Sequence, residues 1–252
     1  ISDVPIGSFL SGGIDSSLVT SLMQKISSKP IQTFSLGFND AGFNEANEAK
    51  KIAQYLKTDH HEFYVNDKIL LDTIPEIHNI YDEPFFDSSA IPTFLLSKFT
   101  RKKVKVALSG DGGDELFAGY NRYLWGNRIS KINSYIPIGL RSFLHNIIKF
   151  VPQKTYEMLT SKLQKKFGMQ AGGFKTYKLA DCLTALDDDD LYQKLITHWN
   201  PKLLESLIKD YVNKNVKLCS IPRNISHIEE RMQYADLTTY LCDDILTKVD
   251  RA

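Results

Sequence analysis

This sequence predicts an α/β fold: a parallel sheet with crossover helices, followed by a mostly helical region. Three observations carry the prediction. Four short apolar or β-branched runs, "IGSFL", "IQTFSLGF", "HHEFYV" and "VKVALSG", alternate with helical stretches through the first half of the chain. The first and fourth of these runs break into turns rich in glycine, serine and aspartate, "SGGIDSS" and "SGDGGDE". After about residue 120 the strand signal fades and lysine-rich amphipathic segments take over. Strand, helix and strand in repetition mean parallel pairing through right-handed crossovers. Ligands of such sheets bind beyond the carboxyl ends of the strands.

Taken in order, the helices begin near Asp15, Asn44 and Asp67. The stretch "EPFFDSSAIPTFLLSKFTRKK" adds another, with Asp87 or Ser88 as its cap and Pro92 tolerated in the first turn. Beyond the fourth strand, helical segments are broken at "YIPIG", "FVPQK", "QAGG", "NP" and "IPRN". In the last segment Ile225, Ile228, Met232, Ala235, Cys242, Ile245 and Val249 recur at intervals that bury one helical face. The run Asp187–Asp190 reads as a solvated acidic turn at a helix start rather than a metal site.

Composition excludes several classes of function. Of 252 residues, 42% are hydrophobic, enough to fill a core. Lysine and arginine total 31 against 30 acidic residues, so the net charge of +1 leaves no basic footprint for nucleic acid. No apolar run approaches the about 20 residues that span a bilayer, and no membrane partner is expected. Cys182, Cys219 and Cys242 are odd in number and match no paired metal-ligand spacing, which reads as reduced, mostly buried thiols in a cytoplasmic protein. The chain opens at Ile1, close to its first strand, and "ILTKVDRA" ends without a helix stop signal, so it is expected to be a piece of a longer protein.

The chemistry is concentrated in the two glycine turns. Gly12 and Gly13 permit a bend in which successive N–H groups converge on an anion, and the helix after Asp15 adds its positive amino end. Ser11, Ser16 and Ser17 bring hydroxyl donors to the same place. The turn lacks the G-x-x-x-x-G-K-[ST] pattern, so γ-phosphoryl transfer is not the favoured chemistry. The second turn carries Asp111, Asp114 and Glu115. Parallel neighbouring strands would bring Asp15 and Asp114 over one site, where two carboxylates beside an anion cradle suit magnesium and ATP. Asp114 and Glu115 read alone would equally suit a helix start.

These residues carry a resemblance. "SGGIDSS" is similar to the PP-loop of ATP pyrophosphatases. With "SLGF", "DEPFFDSSAIPT", "LSGDGGDELFAGYNRY" and "MQYADLTTYLCDDILTKVDRA" the chain resembles the synthetase domain of glutamine-hydrolysing asparagine synthetases. The match is strongest before residue 125 and after residue 230. It implies a five-stranded parallel sheet of the adenine nucleotide α-hydrolase type over residues 1–125 and a helical portion over residues 126–252. It further implies that aspartate attacks the α-phosphate of ATP, releases pyrophosphate, and is aminated by ammonia from its acyl-adenylate.

Carried over by position, Ser11, Gly13, Asp15 and Ser16 would hold the pyrophosphate portion of ATP, with Gly12 and Ser17 among the nucleotide-binding residues, and Asp15 with Asp114 would hold Mg2+. Leu10, Leu36, Gly37 and Gly110 would border adenine and ribose, and Ser109 is a further nucleotide-binding candidate. Asp111 sits where many members carry glutamate near the reacting carboxylate, and joins Asp15 and Ser16 as a catalytic candidate. The glutaminase domain that supplies ammonia is expected to be absent from this chain, which leaves it as a partner in the full-length protein. The family allows a homodimer.

The family's pyrophosphate lysine lies downstream of the "KVDRA" segment, so Lys248 reads as a solvated or salt-bridged lysine instead. His60 and His61, adjacent in a strand, point to opposite faces, so both do not line one pocket, and one of them reads as a hydrogen-bonded strand residue. Asp82, Glu83, Asp87, Ser88 and Ser89 either approach the amino-acid substrate or cap the next helix. Two other readings stay open: a relative acting on a different carboxylate, and a nucleotide-binding module without catalysis.

Overall fold

The computed structural model describes residues 2–38, 45–85, 87–158, 173–199, 201–209, 221–222 and 224–252. Four parallel strands form its sheet: β1 (Ile6–Phe9), β2 (Gln32–Phe38), β3 (Asp59–Val65) and β4 (Val106–Leu108), in the order β3-β2-β1-β4. Gly7 faces Gln32 on one side and Ala107 on the other, and Phe34 faces His61. The sheet therefore has four strands among the described residues, not the five the resemblance implies. The four correspond to the four apolar runs; a fifth run of that kind is not legible in the sequence, and the fifth strand was an inference from the family alone.

Four helices cross between or follow the strands: α1 (Ile14–Ile26), α2 (Ala46–Leu56), α3 (Asp67–Thr73), continued by a 3-10 turn over Ile74–Asn79, and α4 (Ala90–Thr100). Helix α1 starts where the sequence places it, whereas Asn44 lies outside the described residues. The start near Asp67 is set by Asn66, whose side chain accepts from the Ile69 N–H at 2.9 Å and satisfies a donor the first turn leaves open. Pro92 falls in the first turn of α4, where its missing N–H costs nothing. Short α5 (Gly113–Phe117) follows β4.

Two compact units divide the chain, residues 1–117 with 239–252, and residues 118–238. In the first, Leu10 packs with Ala49 and Ala53, and buried Ser8 bonds Thr20 at 3.0 Å, so a polar pair within the β1–α1 layer is mutually satisfied. His60 bonds Thr33 at 2.9 Å, and burial lowers its pKa; His61 stacks on Phe34 with ring centroids 5.3 Å apart. Both are strand-packing residues, as their adjacency predicts.

The second unit is helical where described: α6 (Asn121–Tyr135), α7 (Ile138–Phe150), α8 (Gly173–Leu183), α9 (Asp188–Ile196), α10 (Pro201–Leu207) and α11 (Ile228–Thr238). Its core gathers Tyr123, Ile129, Cys182, Leu191, Tyr192, Ile228, Met232 and Ala235. Asp187 caps α9 by accepting from Asp190 N at 2.8 Å, which is the acidic helix start predicted for that run. Burial pushes the Cys182 thiol up to about 11, so it stays protonated. Cys219 lies outside the described residues.

Cys242 is exposed, against the expectation of a buried helical position. The reason is local: residues Leu241–Leu246 form a π-helical turn before α12 (Thr247–Arg251). A π turn takes more residues per revolution than an α turn, so the face predicted from an uninterrupted α period is rotated. Ile245 remains buried. Among the described residues no helix is long and apolar enough to cross a membrane.

Candidate functional site

The site is built where β1 and β4, side by side in the sheet, each end in a glycine turn. After β1 the chain bends at Gly12, whose φ of 86° is a left-handed conformation that a side chain disfavours. Gly13 then occupies the N-cap position of α1 without a side-chain cap. The first-turn N–H groups of that helix are therefore left for water or an anion.

Ser11, Ser16 and Ser17 shape this bend. Ser16 Oγ is 3.0 Å from Ser11 Oγ and 3.3 Å from both the Ser11 nitrogen and the Gly13 carbonyl. Ser17 Oγ donates to the same carbonyl at 2.6 Å, and the Gly13 N–H donates to Ser11 Oγ at 3.3 Å. Ser16 is buried and Ser11 exposed. The three hydroxyls thus brace the loop, with Ser11 on its outer side.

Asp15 is where the two turns meet. A β-carbon placed on Gly113 would lie 2.6 Å from Asp15 Cγ, and one on Gly110 would lie 2.7 Å from the Ser16 nitrogen. A larger residue at 110 would press on the backbone that starts α1, and one at 113 would displace the Asp15 side chain. The sequence alone leaves that reason for the glycines hidden, because it lies in partners more than 90 residues away in the chain. Asp114 adjoins Gly113 in the chain, so the carboxylates of Asp15 and Asp114 belong to touching turns. Asp111 is exposed, with its N–H directed at Ser109 Oγ at 3.4 Å. Among the described residues no group of three or more His, Cys, Asp or Glu forms a metal cage.

The remaining predicted nucleotide contacts separate into edge and core. Leu36 and Gly37 stand near the carboxyl end of β2, where the Tyr64 ring lies 2.6 Å from where a Gly37 β-carbon would be. Leu10 is 1% exposed; its N–H donates to Phe34 O, and its carbonyl accepts from Ser35 Oγ at 2.5 Å. Its side chain belongs to the core beneath the loop.

The asparagine synthase family model matches residues 1–252. The chain belongs to the asparagine synthase family. Asparagine synthetase [glutamine-hydrolyzing] 1 of Bacillus subtilis is 32% identical over 256 residues, covering 99% of this chain and 37% of its own length. A provisionally named asparagine synthetase [glutamine-hydrolyzing] 2 of Methanocaldococcus jannaschii is 33% identical over 255 residues, 100% of this chain and 45% of its own. Asparagine synthetase [glutamine-hydrolyzing] 2 of Oryza sativa subsp. japonica is 37% identical over 134 residues, 48% of this chain and 22% of its own. The chain spans less than half the length of these relatives.

Within this asparagine synthase-family chain, the acidic stretch ahead of α4 resolves into two kinds of residue. Asp82, Glu83 and Ser88 are exposed. Asp87 instead accepts from the Ser89 N–H at 2.8 Å and from Ser89 Oγ at 2.9 Å, and receives Lys248 Nζ at 2.7 Å. Lys248 is 6% exposed, so it is the salt-bridged lysine of the two readings and not the solvated one. Burial acts to raise the Asp87 pKa, but the bonds from Lys248 and Ser89 outweigh it and hold the carboxyl below the usual carboxylate range. Sequence reasoning missed Asp244 beside it: burial, then the charge of Asp87, push that carboxyl up to about 6. Its acidic neighbour Asp243 gives no signal in sequence to separate the two, because burial is decided by the fold.

Proposed function

We propose that the chain carries the ATP-dependent synthetase reaction of an asparagine synthetase, converting aspartate to asparagine through a β-aspartyl-AMP intermediate. The observation that supports this best is the meeting of the two glycine turns at Asp15, which joins an open helix amino end to two carboxylates at the carboxyl edge of a parallel sheet. In the first step a carboxylate oxygen of aspartate attacks the α-phosphorus; the bond to the bridging oxygen breaks and pyrophosphate leaves with its electron pair. In the second step ammonia attacks the acyl carbon, AMP leaves with the acyl oxygen, and the nitrogen loses its proton.

The loop after β1 takes the pyrophosphate portion. Its backbone N–H groups and Ser11 hydroxyl are fixed in advance by the Ser16 and Ser17 braces, so they reorganise little as negative charge builds on the leaving group. Asp15 and Asp114 are the residues to hold magnesium, a hard cation that takes one or two carboxylates together with phosphate and water oxygens. Bound there, the ion would supply charge neutralisation for the leaving pyrophosphate. Leu36, Gly37, Ser109 and Gly110 border the nucleoside, and Asp111 faces the acceptor. Ammonia comes from a glutaminase portion of the full-length protein.

Incubation with ATP, ammonium and aspartate, followed for AMP and pyrophosphate, tests this reading. Pyrophosphate that requires aspartate supports it. Dependence on another carboxylic acid moves the assignment to a different acceptor, and tight ATP binding without turnover overturns catalysis. Asp15→Ala should lower pyrophosphate formation about 10²–10³-fold, the loss typical of removing one preorganised stabilising group. An unchanged rate in that variant removes the site assignment.

A further inference from the structure

The last stretch of the first unit touches the candidate site at one end and the start of α4 at the other. At its beginning, the Leu241 methyls lie 3.8 and 3.9 Å from where a β-carbon of Gly112 would sit, so Leu241 backs the loop after β4. Seven residues on, Lys248 Nζ lies 2.7 Å from Asp87 Oδ2 and 2.6 Å from Ser89 Oγ. Between these contacts runs the π turn, a rare geometry found frequently at functional sites.

The amino end of α4 belongs to the working edge of the sheet. Phe99, in the last turn of α4, stacks on Phe63 at 5.1 Å and meets Phe34 edge-on at 6.1 Å, and the chain then enters β4 alongside β1. Helix α4 therefore runs back against the strand direction, and its 11 residues rise about 16 Å. Its first turn, with Asp87 and Ser89, lies towards the carboxyl ends of the strands, where the glycine turns also lie.

A buried ion pair kept for stability alone would be an expensive choice, because desolvation commonly cancels its attraction. The neighbours of this one are incompletely satisfied. Asp244 Oδ1 and the Tyr81 hydroxyl are both buried and meet no hydrogen-bond partner. Two carboxyls, Asp87 and Asp244, share one ammonium. The surrounding charges do not complete the balance: Asp82 and Arg251 pair with each other at 2.9 Å near the surface, and Glu83, Asp243 and Asp250 are exposed.

We infer that Lys248 is a positioning residue for the acceptor side of the reaction: it locks Asp87 and Ser89 so that the exposed Asp82, Glu83 and Ser88 are held in register with the loop backed by Leu241. Asp244 tunes this lock, since on ionising it competes with Asp87 for the same ammonium. The inference rests on the proposed joining of a nucleotide to an acceptor acid at this edge.

The test uses the intact protein with Lys248→Met, Lys248→Arg and Asp244→Asn, and has one readout that needs no turnover. Amide hydrogen exchange at residues 87–95 should rise in Lys248→Met and return close to wild type in Lys248→Arg. With aspartate as varied substrate, KM should rise about tenfold in Lys248→Met while KM for ATP stays within about twofold, a split that general destabilisation does not produce. Asp244→Asn should remove an inflection near pH 6 from kcat/KM for the acceptor. Unchanged exchange in Lys248→Met, or equal losses for both substrates, overturns the role of Lys248. Failure of the wild type to form pyrophosphate with any acid would instead overturn the proposed reaction, and the exchange measurement would still be readable.

Discussion

Each unit sets an aspartate among cations and hydroxyls, fully buried in one and half-buried in the other, and the two are finished differently. In the helical unit Asp236, fully buried, accepts from Arg122 Nε at 2.9 Å, Tyr123 OH at 2.6 Å and Tyr192 OH at 2.8 Å. Burial and the Asp236 charge drive the Tyr123 phenol pKa well up, so it remains a donor. In the α/β unit Asp244 has an oxygen with no donor and a second carboxyl for a neighbour. A carboxylate met by three donors fixes one arrangement, whereas a carboxyl with an oxygen that lacks a donor changes its charge near neutrality. The first is the pattern of a scaffold and the second that of an adjustable element beside a site.

The largest effect should come from removing the carboxylate that three donors share. Asp236→Ala leaves Arg122 and two phenols without their acceptor and should lower the stability of the helical unit by about 3–5 kcal/mol. The chain's two tryptophans, Trp125 and Trp199, both lie in that unit, so fluorescence-detected denaturant unfolding reports on it directly. A midpoint equal to wild type would mean the network is not the scaffold described.

Next comes the unsaturated carboxyl. Its folded pKa, about 6, lies above the unfolded value of 3.8, so the folded form binds more protons between the two. Asp244 thus contributes stability that is present below pH 3.8 and lost as pH rises through about 6. Asp87, with its pKa lowered, acts oppositely: its contribution is present at higher pH and lost as pH falls. Asp244→Asn, neutral throughout, should gain stability relative to wild type as pH rises from 4 to 7. Melting temperatures measured across that range check the sign, and a flat difference would place Asp244 in an ordinary solvated setting.

The smallest effects sharpen the comparison by touching neither cluster. Asn66→Ala in the α/β unit and Asp187→Ala in the helical unit each remove one N-cap bond and should cost about 1 kcal/mol. Equal losses from urea unfolding would show that the units differ in their buried charges and not in their helix ends. A loss several times larger at either cap would undo that separation.

Much of this was legible in the sequence. Period-two and apolar runs marked β1 to β4, and "SGGIDSS" and "SGDGGDE" marked both turns of the candidate site, because strand patterning and glycine turns are local properties. Local signals also placed the Asp187 cap and the Asp67 helix start. They misplaced Cys242, since the π turn that rotates it leaves the apolar spacing intact.

Sequence by itself determined the strand-and-turn order, the glycine, serine and aspartate composition of the two loops and the family to which they belong. Tertiary structure alone decided that Gly113 lies against Asp15, that residues 239–252 join the first unit, and that Lys248 meets Asp87 across 161 positions of chain. The reason is physical: backbone preference is written in neighbouring residues, whereas close approach, burial and the sharing of a proton depend on groups that only folding brings together.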